Sequence, residues 1–200
     1  AGIMQRALRL QQEMTDRVVF MRQFLKHPHQ VASIIPSSRF LERRIVELAE
    51  VGSVHTVVEL GAGTGGTTRA ILGAIPPGAT LLSIEINPQF CELLGRIPDS
   101  RLIVQRDSAR ELRESLSRHS LPAPEVVISG IPFSTMGRIA GSRILKAISS
   151  ALAPGGRFVA YQVSTRVADL ARPFLGPARV EVALLNVPPM RVYRWEKHAA

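Results

Sequence analysis

The beginning of the chain carries apolar residues at helical spacing. Between residues 3 and 26 they recur every three or four positions, at Ile3, Ala7, Leu10, Met14, Val18, Met21 and Leu25. This spacing predicts a helix with one apolar stripe. The other faces of the helix carry five basic side chains: Arg6, Arg9, Arg17, Arg22 and Lys26. Pro28 ends or bends this helix. A second helix is expected from Ser37 or Ser38, whose hydroxyls suit an N-cap, to about residue 51.

From residue 56 onwards, short apolar runs alternate with helical patterns. The runs typical of buried strands fall at residues 56–60, 80–84, 101–105, 125–129 and 157–163. Helical patterns lie between them or follow them, at residues 66–75, 88–96, 108–117, 137–152 and up to about 174. Two further strands are predicted near residues 179–185 and 190–195. This alternation predicts an α/β fold with a seven-stranded, mostly parallel sheet and helices on both faces. The short link between the last two strands predicts one antiparallel edge strand.

The composition is that of one globular domain with a small appendage. The chain has 200 residues, of which 46% are hydrophobic. We expect residues 1–52 to form the N-terminal amphipathic helix and a covering segment, and residues 53–200 to form the α/β domain. Cys91 is the single cysteine, so no intramolecular disulfide can form and a reducing, cytoplasmic setting is expected. Because no run of about 18 apolar residues exists, no segment is expected to span a bilayer.

The net charge of +9 is large for a chain of this length. Such an excess indicates an anionic partner, either nucleic acid or an acidic membrane surface. The excess is unevenly placed, because residues 51–100 hold two arginines against four acids. The basic excess therefore lies in the N-terminal fifty residues and in the last hundred.

A glycine-rich loop follows the first predicted strand. It reads Gly61-Ala62-Gly63-Thr64-Gly65-Gly66 and leads directly into a helix. A loop of this kind at the carboxyl end of a first strand lets a ligand approach the backbone closely. The alternative is an ordinary strand-to-helix turn, but one glycine would serve that purpose.

Acidic residues end the second and third predicted strands. Glu85 is placed to accept hydrogen bonds from ribose hydroxyls, the alternative being a solvated carboxylate. Asp107 lies where an adenine amine could be bound, and it also precedes a helical pattern, so it could serve as an N-cap. These two roles of Asp107 are compatible with each other.

The order of these motifs resembles the S-adenosylmethionine-dependent methyltransferases of class I, which have a Rossmann-like fold. The resemblance rests on Glu59 to Gly65, Glu85 and Asp107, and it covers about residues 54–195. It implies that the glycine loop passes under the methionine portion of S-adenosylmethionine, and that Glu85 holds the ribose and Asp107 the adenine. The implied cofactor-binding set is Glu59, Gly61, Ala62, Gly63, Gly65, Glu85, Ile86, Asp107, Ser108, Ser129, Gly130 and Ser38.

The tip of the fourth strand indicates the kind of methyl acceptor. Related enzymes that methylate base amines carry Asn or Asp, any residue, Pro and an aromatic there, whereas this chain has Gly130-Ile131-Pro132-Phe133. Glycine has only its backbone carbonyl to accept a hydrogen bond from the target amine, so methylation of bases is disfavoured. Phe133 could hold a cationic amine on its ring face, with core packing as the alternative. Tyr161, at the end of the fifth strand, is a second candidate for the wall of the acceptor pocket.

The N-terminal segment resembles that of the bacterial phospholipid N-methyltransferases. The similarity lies in Phe24 to Lys26, Val31 to Arg39 with its Pro-Ser-Ser, and Asn186 to Pro189 near the end of the chain. It implies methyl transfer to phosphatidylethanolamine or its methylated derivatives, towards phosphatidylcholine, by an enzyme bound peripherally to the inner face of the membrane. A basic helix with an apolar stripe could lie on that anionic surface, or it could pack on protein. No metal ion is implied.

Two other functions stay open at this point. Ribosomal RNA adenine dimethylases share the motifs but normally carry a helical domain after the catalytic one, which makes nucleic acid the less favoured partner. A non-catalytic module that binds S-adenosylmethionine is the second alternative. The sequence leaves the acceptor undecided between phosphatidylethanolamine, its methylated derivatives and an ornithine-type lipid, and it does not indicate an oligomeric state.

Overall fold

The computed structural model describes residues 39–183 and 189–199. Its strands are β1 Thr56–Leu60, β2 Thr80–Glu85, β3 Leu102–Arg106, β4 Val126–Ser129, β5 Arg157–Gln162, β6 Arg179–Ala183 and β7 Met190–Glu196. Its α-helices are α1 Arg39–Ala49, α2 Gly66–Leu72, α3 Pro88–Gly95, α4 Leu112–Arg118, α5 Arg138–Ala151 and α6 Arg166–Leu175. Short 3₁₀ turns lie at Val51–Ser53, Ala109–Glu111 and Phe133–Thr135. The predicted helix at residues 3–26 and the candidate site residue Ser38 lie outside the described residues.

The seven strands form one sheet in the order β3-β2-β1-β4-β5-β7-β6. Strands β1 to β5 are parallel, and β7 runs antiparallel to both of its neighbours. The order extends outward from β1 in two directions, so right-handed crossovers place the connecting helices on both faces. The predicted α/β fold is confirmed.

The position of the antiparallel strand differs from the prediction. β7 lies inside the sheet between β5 and β6, and β6 forms the edge. Burial explains this order: β7 contributes Val192, Tyr193 and Trp195 to the core, whereas Val180 and Val182 of β6 are about half exposed. The more apolar strand takes the internal place, and the short connection makes its pairing with β6 antiparallel.

The central strands are buried because both of their faces are covered by helices. All five residues of β1 are buried, as are five of the six in β2. On one face, a continuous core joins the sheet to α4, α5 and α6, and Trp195 stacks on Phe158 with ring centroids 4.9 Å apart. Burial of this kind makes the sheet a rigid platform for the loops at its carboxyl edge.

Helix α1 is anchored to the sheet by two arginines. Its apolar side packs inward through Leu41, Ile45 and Leu48. The guanidinium of Arg157 donates to the carbonyl of Ala49 at 2.9 Å, and that of Arg194 donates to the carbonyl of Leu48 at 3.0 Å. These bonds satisfy carbonyls that a helix end leaves without intrahelical donors. Among residues 39–183 and 189–199, no helix is long and apolar enough to cross a bilayer.

Candidate functional site

The candidate site lies at the carboxyl edge of the sheet, where the strand order reverses between β1 and β4. Loops that follow β1, β2, β3, β4 and β5 all leave the sheet at this edge. In open α/β sheets, such a reversal leaves a crevice between loops that turn to opposite faces. The fold therefore brings the glycine loop, Glu85, Asp107 and Gly130 to the same edge.

The glycine loop has a backbone that side chains rarely allow. Gly61, Gly63 and Gly65 have φ angles of 71°, 57° and 89°, all in the left-handed region. At Gly61 a Cβ atom would also come within 3.1 Å of the Ile131 side chain. The loop is held to the sheet by the amide of Gly61, which donates to the carbonyl of Ile84 at 2.9 Å. The glycines thus serve both the turn and the close packing of the loop.

Glu85 connects the second strand to the glycine loop. Its carboxylate accepts from the amide of Gly63 at 2.9 Å and from the amide of Asn87 at 2.9 Å. The side chain is buried, and burial raises the pKa of Glu85 despite these bonds. The solvated alternative is excluded, because only 5% of the residue is exposed. The amide of Ile86 is a further backbone donor to this carboxylate. Because a carboxylate can accept up to about four hydrogen bonds, about one position stays open for another donor.

Glu59 lies beneath the glycine loop with no exposed surface. One carboxylate oxygen accepts from the hydroxyl of Thr68 at 2.6 Å and from that of Ser83 at 3.0 Å. The other oxygen is buried and has no partner. Burial in this enclosed position raises the pKa of Glu59 to about 7. The site therefore contains a carboxyl group that changes its charge near neutral pH.

The residue that caps the turn after β3 is not the one that the sequence predicted. Ser108, not Asp107, caps the following 3₁₀ turn, because its hydroxyl accepts from the amide of Arg110 at 3.3 Å. Asp107 accepts from the amide of Ser108 at 2.8 Å and pairs with Arg118 at 3.1 Å. The N-cap prediction for Asp107 is therefore wrong. Its contact with adenine stays a prediction.

Ile86 is an exposed apolar side chain at the end of β2. It is 69% exposed, although the strand that precedes it is buried. Its neighbour Glu85 faces the glycine loop, so Ile86 lies at the rim of the crevice. An unpartnered apolar side chain at this point suits the face of an aromatic ring.

At the tip of β4, the glycine leaves room for a tyrosine. The amide of Gly130 donates to the carbonyl of Leu60 at 2.9 Å, and the hydroxyl of buried Ser129 accepts from the amide of Ile131 at 3.1 Å. A Cβ atom on Gly130 would overlap the hydroxyl of Tyr161 and lie 2.8 Å from its Cζ atom. Thr67 donates a long hydrogen bond of 3.4 Å to the same hydroxyl. Burial raises the pKa of Tyr161, so its hydroxyl stays protonated.

Phe133 has the packing role that the sequence left as its alternative. Its ring has no exposed surface and belongs to the core beneath the sheet edge. The ring of Phe133 is enclosed by protein, whereas Tyr161 is partly exposed. The two candidates for the acceptor wall thus differ in burial, and Tyr161 is the one with exposed surface. The contact of Tyr161 with a methyl acceptor stays a prediction.

Gln162 is a structural member of the site that the sequence analysis missed. Its side chain donates to the carbonyl of Ile131 at 2.6 Å and accepts from the amide of Phe133 at 3.2 Å. It therefore ties the end of β5 to the loop after β4. The signal was a lone amide side chain at the end of the apolar strand RFVAYQ. Within the described ranges, no group of His, Cys, Asp and Glu could hold a metal ion.

Comparison with known proteins defines the class of protein first. The chain superimposes on the N-methyltransferase NodS from Bradyrhizobium japonicum with a TM-score of 0.66 at 12% identity, over 80% of this chain and 96% of that one. It also superimposes on NodS in complex with S-adenosylhomocysteine, with a TM-score of 0.64 at 12% identity over 81% and 89% of the two chains. The fold is that of the class I S-adenosylmethionine-dependent methyltransferases. No protein-family model matches the chain.

Sequence similarity then gives the family. The chain is 31% identical over 148 residues to an ornithine lipid N-methyltransferase of Singulisphaera acidiphila, a match that covers 72% of this chain and 77% of the relative. It belongs to this family of lipid N-methyltransferases, and it is an S-adenosylmethionine-dependent N-methyltransferase. A ribosomal RNA small subunit methyltransferase A of Caulobacter vibrioides is 34% identical over 95 residues, but the match covers only 46% of this chain and 34% of that relative.

The described residues fit S-adenosylmethionine. At Gly61 the space of a Cβ atom is taken by the Ile131 side chain, whereas Gly63 has no side chain that would keep a ligand away from the backbone of the loop. Glu85 can accept a further hydrogen bond, Ile86 offers an apolar surface, and Glu59 adds negative potential beneath the loop when it is ionised, which its pKa of about 7 places above neutral pH. A sulfonium and an ammonium group would both be favoured there. The individual contacts of these residues with the cofactor stay predictions.

Proposed function

We propose that this enzyme methylates the amine of a membrane lipid head group, either phosphatidylethanolamine and its methylated derivatives or an ornithine-type lipid. The proposal is supported by the similarity to the relative from Singulisphaera, which is an ornithine lipid N-methyltransferase. It is carried by one observation in this chain, the packing of the Tyr161 hydroxyl against Gly130. That packing fills the position in which base methyltransferases carry Asn or Asp.

This difference from the base methyltransferases changes which amines the acceptor site can recognise. An Asn or Asp side chain is suited to the planar edge of a base, since it accepts from an exocyclic amine with fixed geometry. The Tyr161 hydroxyl offers one oxygen on a rigid ring and receives a hydrogen bond from Thr67 at 3.4 Å. A small aliphatic amine can donate to such an oxygen without a planar partner surface. The site therefore suits a flexible primary or secondary amine better than a base.

When bound, S-adenosylmethionine supplies a methyl group on a cationic sulfonium. The residues of this chain bind and orient the cofactor and the amine, and they exclude water from the site. Gly63 allows a close backbone approach, and the Glu85 carboxylate orients the loop by accepting from the amide of Gly63. On the acceptor side, Tyr161 accepts one hydrogen of a neutral primary or secondary amine, which leaves the nitrogen lone pair free for the methyl group. A dimethylated amine has no hydrogen to donate, so Tyr161 contributes this bond only to the first two transfers. Positioning of this kind can account for most of the rate enhancement of a displacement between bound partners.

We further propose that the enzyme works at the inner, cytoplasmic face of an anionic membrane. The supporting observation is the sequence pattern of residues 3–26, an apolar stripe flanked by five basic residues. Such a segment binds an anionic surface through apolar burial and through charge attraction together. The net charge of +9 acts in the same direction.

Methyl transfer to defined acceptors tests the proposal. Purified protein with labelled S-adenosylmethionine is given vesicles of phosphatidylglycerol that contain phosphatidylethanolamine, the same vesicles with an ornithine lipid, or ribosomal RNA. The expected result is labelled lipid and no labelled RNA. A protein that labels RNA and neither lipid is a nucleic-acid methyltransferase, and the proposal is then wrong.

A matched variant separates the acceptor site from the cofactor site. Tyr161→Phe removes the hydroxyl and keeps the ring, so we expect lower lipid methylation with unchanged cofactor affinity. Phe174→Leu, on α6 and away from the crevice, serves as an aromatic control. Equal activity of Tyr161→Phe and the parent would show that the hydroxyl does not bind the amine.

A further inference from the structure

A cavity between the segments that follow β4 and β5 and the first residues of α5 and α6 is lined mainly by cationic and hydroxyl side chains. Its volume is about 350 Å³. Two arginines, three hydroxyl residues, one aspartate and one leucine line it: Ser134, Arg138, Ser164, Thr165, Arg166, Asp169 and Leu170. None of them belongs to the predicted cofactor set. The lining has a formal charge of +1, from two arginines and one aspartate.

The chain connects this cavity to the acceptor loop. Ser134 directly follows Phe133 in the loop after β4, and Ser164 lies two residues after Gln162 at the end of β5. Gln162 bonds to both Ile131 and Phe133 across these two segments. The cavity is therefore attached to the same loops that hold Gly130 and Tyr161, on the side away from Glu85 and Asp107.

The arginines of the cavity are not neutralised by carboxylates. In the part of the chain that the structure describes, neither Arg138 nor Arg166 forms a salt bridge. The Nε atom of Arg166 is buried and has no hydrogen-bond partner. This atom is not open to the cavity, so only the terminal nitrogens of Arg166 can reach a ligand there. A partly buried guanidinium without a carboxylate partner attracts an anion, because the attraction is weakly screened. Arg166 is also the first residue of the ten-residue helix α6, whose N-terminus adds positive potential.

Exposed apolar side chains flank the charged lining. Ile139, next to Arg138, is 72% exposed, and Val163, next to Ser164, is 40% exposed. A free phosphate needs no apolar surface near its site, whereas an anionic group attached to acyl chains brings one with it. The combination of arginines, hydroxyls and exposed aliphatic residues therefore suits a lipid.

We infer that this cavity binds the anionic group of the zwitterionic head group whose amine lies at Tyr161. The inference rests on the proposed function and adds its recognition element. The shared chemistry is an oxyanion a few bonds from an aliphatic amine, and it can come from a phosphodiester or from a free carboxylate. Arg138 and Arg166 donate to the oxyanion, and Ser134 and Thr165 provide additional hydroxyl donors.

The test uses two arginine variants with matched controls. Arg138→Gln and Arg166→Gln each remove one charge from the cavity. Arg143→Gln and Arg172→Gln remove one charge from exposed positions on α5 and α6 that do not line it. All proteins are assayed on vesicles with a constant fraction of phosphatidylglycerol, so that the surface charge does not change. The acceptors are phosphatidylethanolamine, an ornithine lipid, and a diacyl lipid with an aminoethyl group but no phosphate or carboxylate.

The expected result is a loss of head-group selectivity. The parent should prefer either zwitterionic lipid to the lipid that lacks the anion. Each cavity variant should raise KM for the zwitterionic lipids by about tenfold to a hundredfold, the range for one hydrogen bond to a charged group, with little change in kcat. The same variants should leave KM for the neutral lipid unchanged. Inorganic phosphate should compete with phosphatidylethanolamine in the parent more strongly than in the variants.

The outcomes distinguish this inference from the function on which it rests. If the parent methylates none of the three lipids, the proposed function is wrong. If it methylates lipids but does not discriminate against the neutral one, or if cavity and control variants behave alike, the anion site alone is wrong. Because Arg138 is exposed, Arg138→Gln keeps the test valid even where the Arg166 variant fails to fold.

Discussion

The hydroxyl of Tyr161 occupies the space that a side chain at position 130 would need. A Cβ atom built on Gly130 overlaps this hydroxyl and lies 3.0 Å from the carbonyl oxygen of Gly61. Glycine at 130 and tyrosine at 161 are therefore one structural unit, contributed by the ends of two neighbouring strands. The backbone of Gly130 imposes no such requirement, since its φ angle is not in the left-handed region. Glycine is therefore required at position 130 by the space that the Tyr161 hydroxyl occupies, and not by the backbone conformation.

The first prediction is that positions 130 and 161 are energetically coupled. Gly130→Ala forces the ring of Tyr161 to move and should destabilise the protein by about 1–3 kcal/mol, the usual cost of overpacking. In a Tyr161→Ala background the same change should cost clearly less, because the nearest atoms are absent. Urea unfolding of the parent, both single variants and the double variant measures the coupling. Costs that add within about 0.5 kcal/mol would contradict it.

The second prediction concerns Glu85 and the affinity for S-adenosylmethionine. In Glu85→Gln one carboxylate oxygen becomes an amide nitrogen, which cannot accept from the amide of Gly63 or Asn87. We expect cofactor binding to weaken by about 1–3 kcal/mol, as measured by titration calorimetry. Glu92→Gln is the control, because Glu92 is exposed and pairs with Arg96, the residue that follows the last residue of α3. Unchanged affinity in a folded Glu85→Gln protein would falsify the assignment of this strand end to the cofactor.

The third prediction is a pH dependence of stability caused by Glu59. Its pKa is raised from 4.5 to about 7 in the folded protein, so between these values the folded state keeps a proton that the unfolded state releases. The free energy of unfolding therefore falls as the pH rises through this window. With 1.36 kcal/mol for each pKa unit, the total is about 3 kcal/mol.

The Glu59→Gln variant isolates this contribution, because every other titrating group is common to both proteins. Chemical unfolding at several values between pH 4.5 and 7.5 should show the parent losing stability relative to the variant as the pH rises. Above about pH 7 the difference should become constant. A difference that stays constant over the whole range would mean that Glu59 ionises normally in the folded protein.

Local patterns predicted the elements of this fold well, because the central strands are covered on both faces. The apolar runs at residues 56–60 and 80–84 match β1 and β2 to within one residue, and helix α3 ends one residue before its predicted end. The place of β7 was not predictable in the same way. The position of β7 depends on which of the two last strands pairs with β5. That pairing is a contact between distant parts of the chain, so a local pattern does not predict it.

The residues of the candidate site were predictable where the local backbone conformation requires a particular residue type. The glycines of the loop have left-handed φ angles, so their pattern in the sequence carries its own explanation. Gly130 and Gln162 have no such intrinsic signature, since one is explained by the ring of Tyr161 and the other by backbone groups of the neighbouring loop. The sequence also could not show that Phe133 is buried whereas Tyr161 is partly exposed. The burial of such side chains depends on how the following helices pack.

The fourth prediction is electrostatic attachment of residues 1–26 to anionic membranes. Four arginines of this segment are changed to glutamine together: Arg6, Arg9, Arg17 and Arg22. Because each basic residue near an anionic surface contributes roughly 1 kcal/mol, we expect sedimentation with phosphatidylglycerol vesicles to fall strongly. Binding of the parent should also weaken with salt, since the Debye length shrinks from about 10 Å at 0.1 M to about 3 Å at 1 M.

A control with the same loss of charge decides whether the position of the arginines matters. It replaces four exposed arginines of the α/β domain by glutamine: Arg110, Arg113, Arg143 and Arg172. This control should keep most of the vesicle binding, and both quadruple variants should keep the parent's affinity for S-adenosylmethionine, because neither alters the glycine loop. If the N-terminal variant sediments with the vesicles as well as the parent does, the segment is not an electrostatic anchor. The apolar stripe at residues 3–26 would then be explained better by packing on protein, and the basic charge by a nucleic-acid partner.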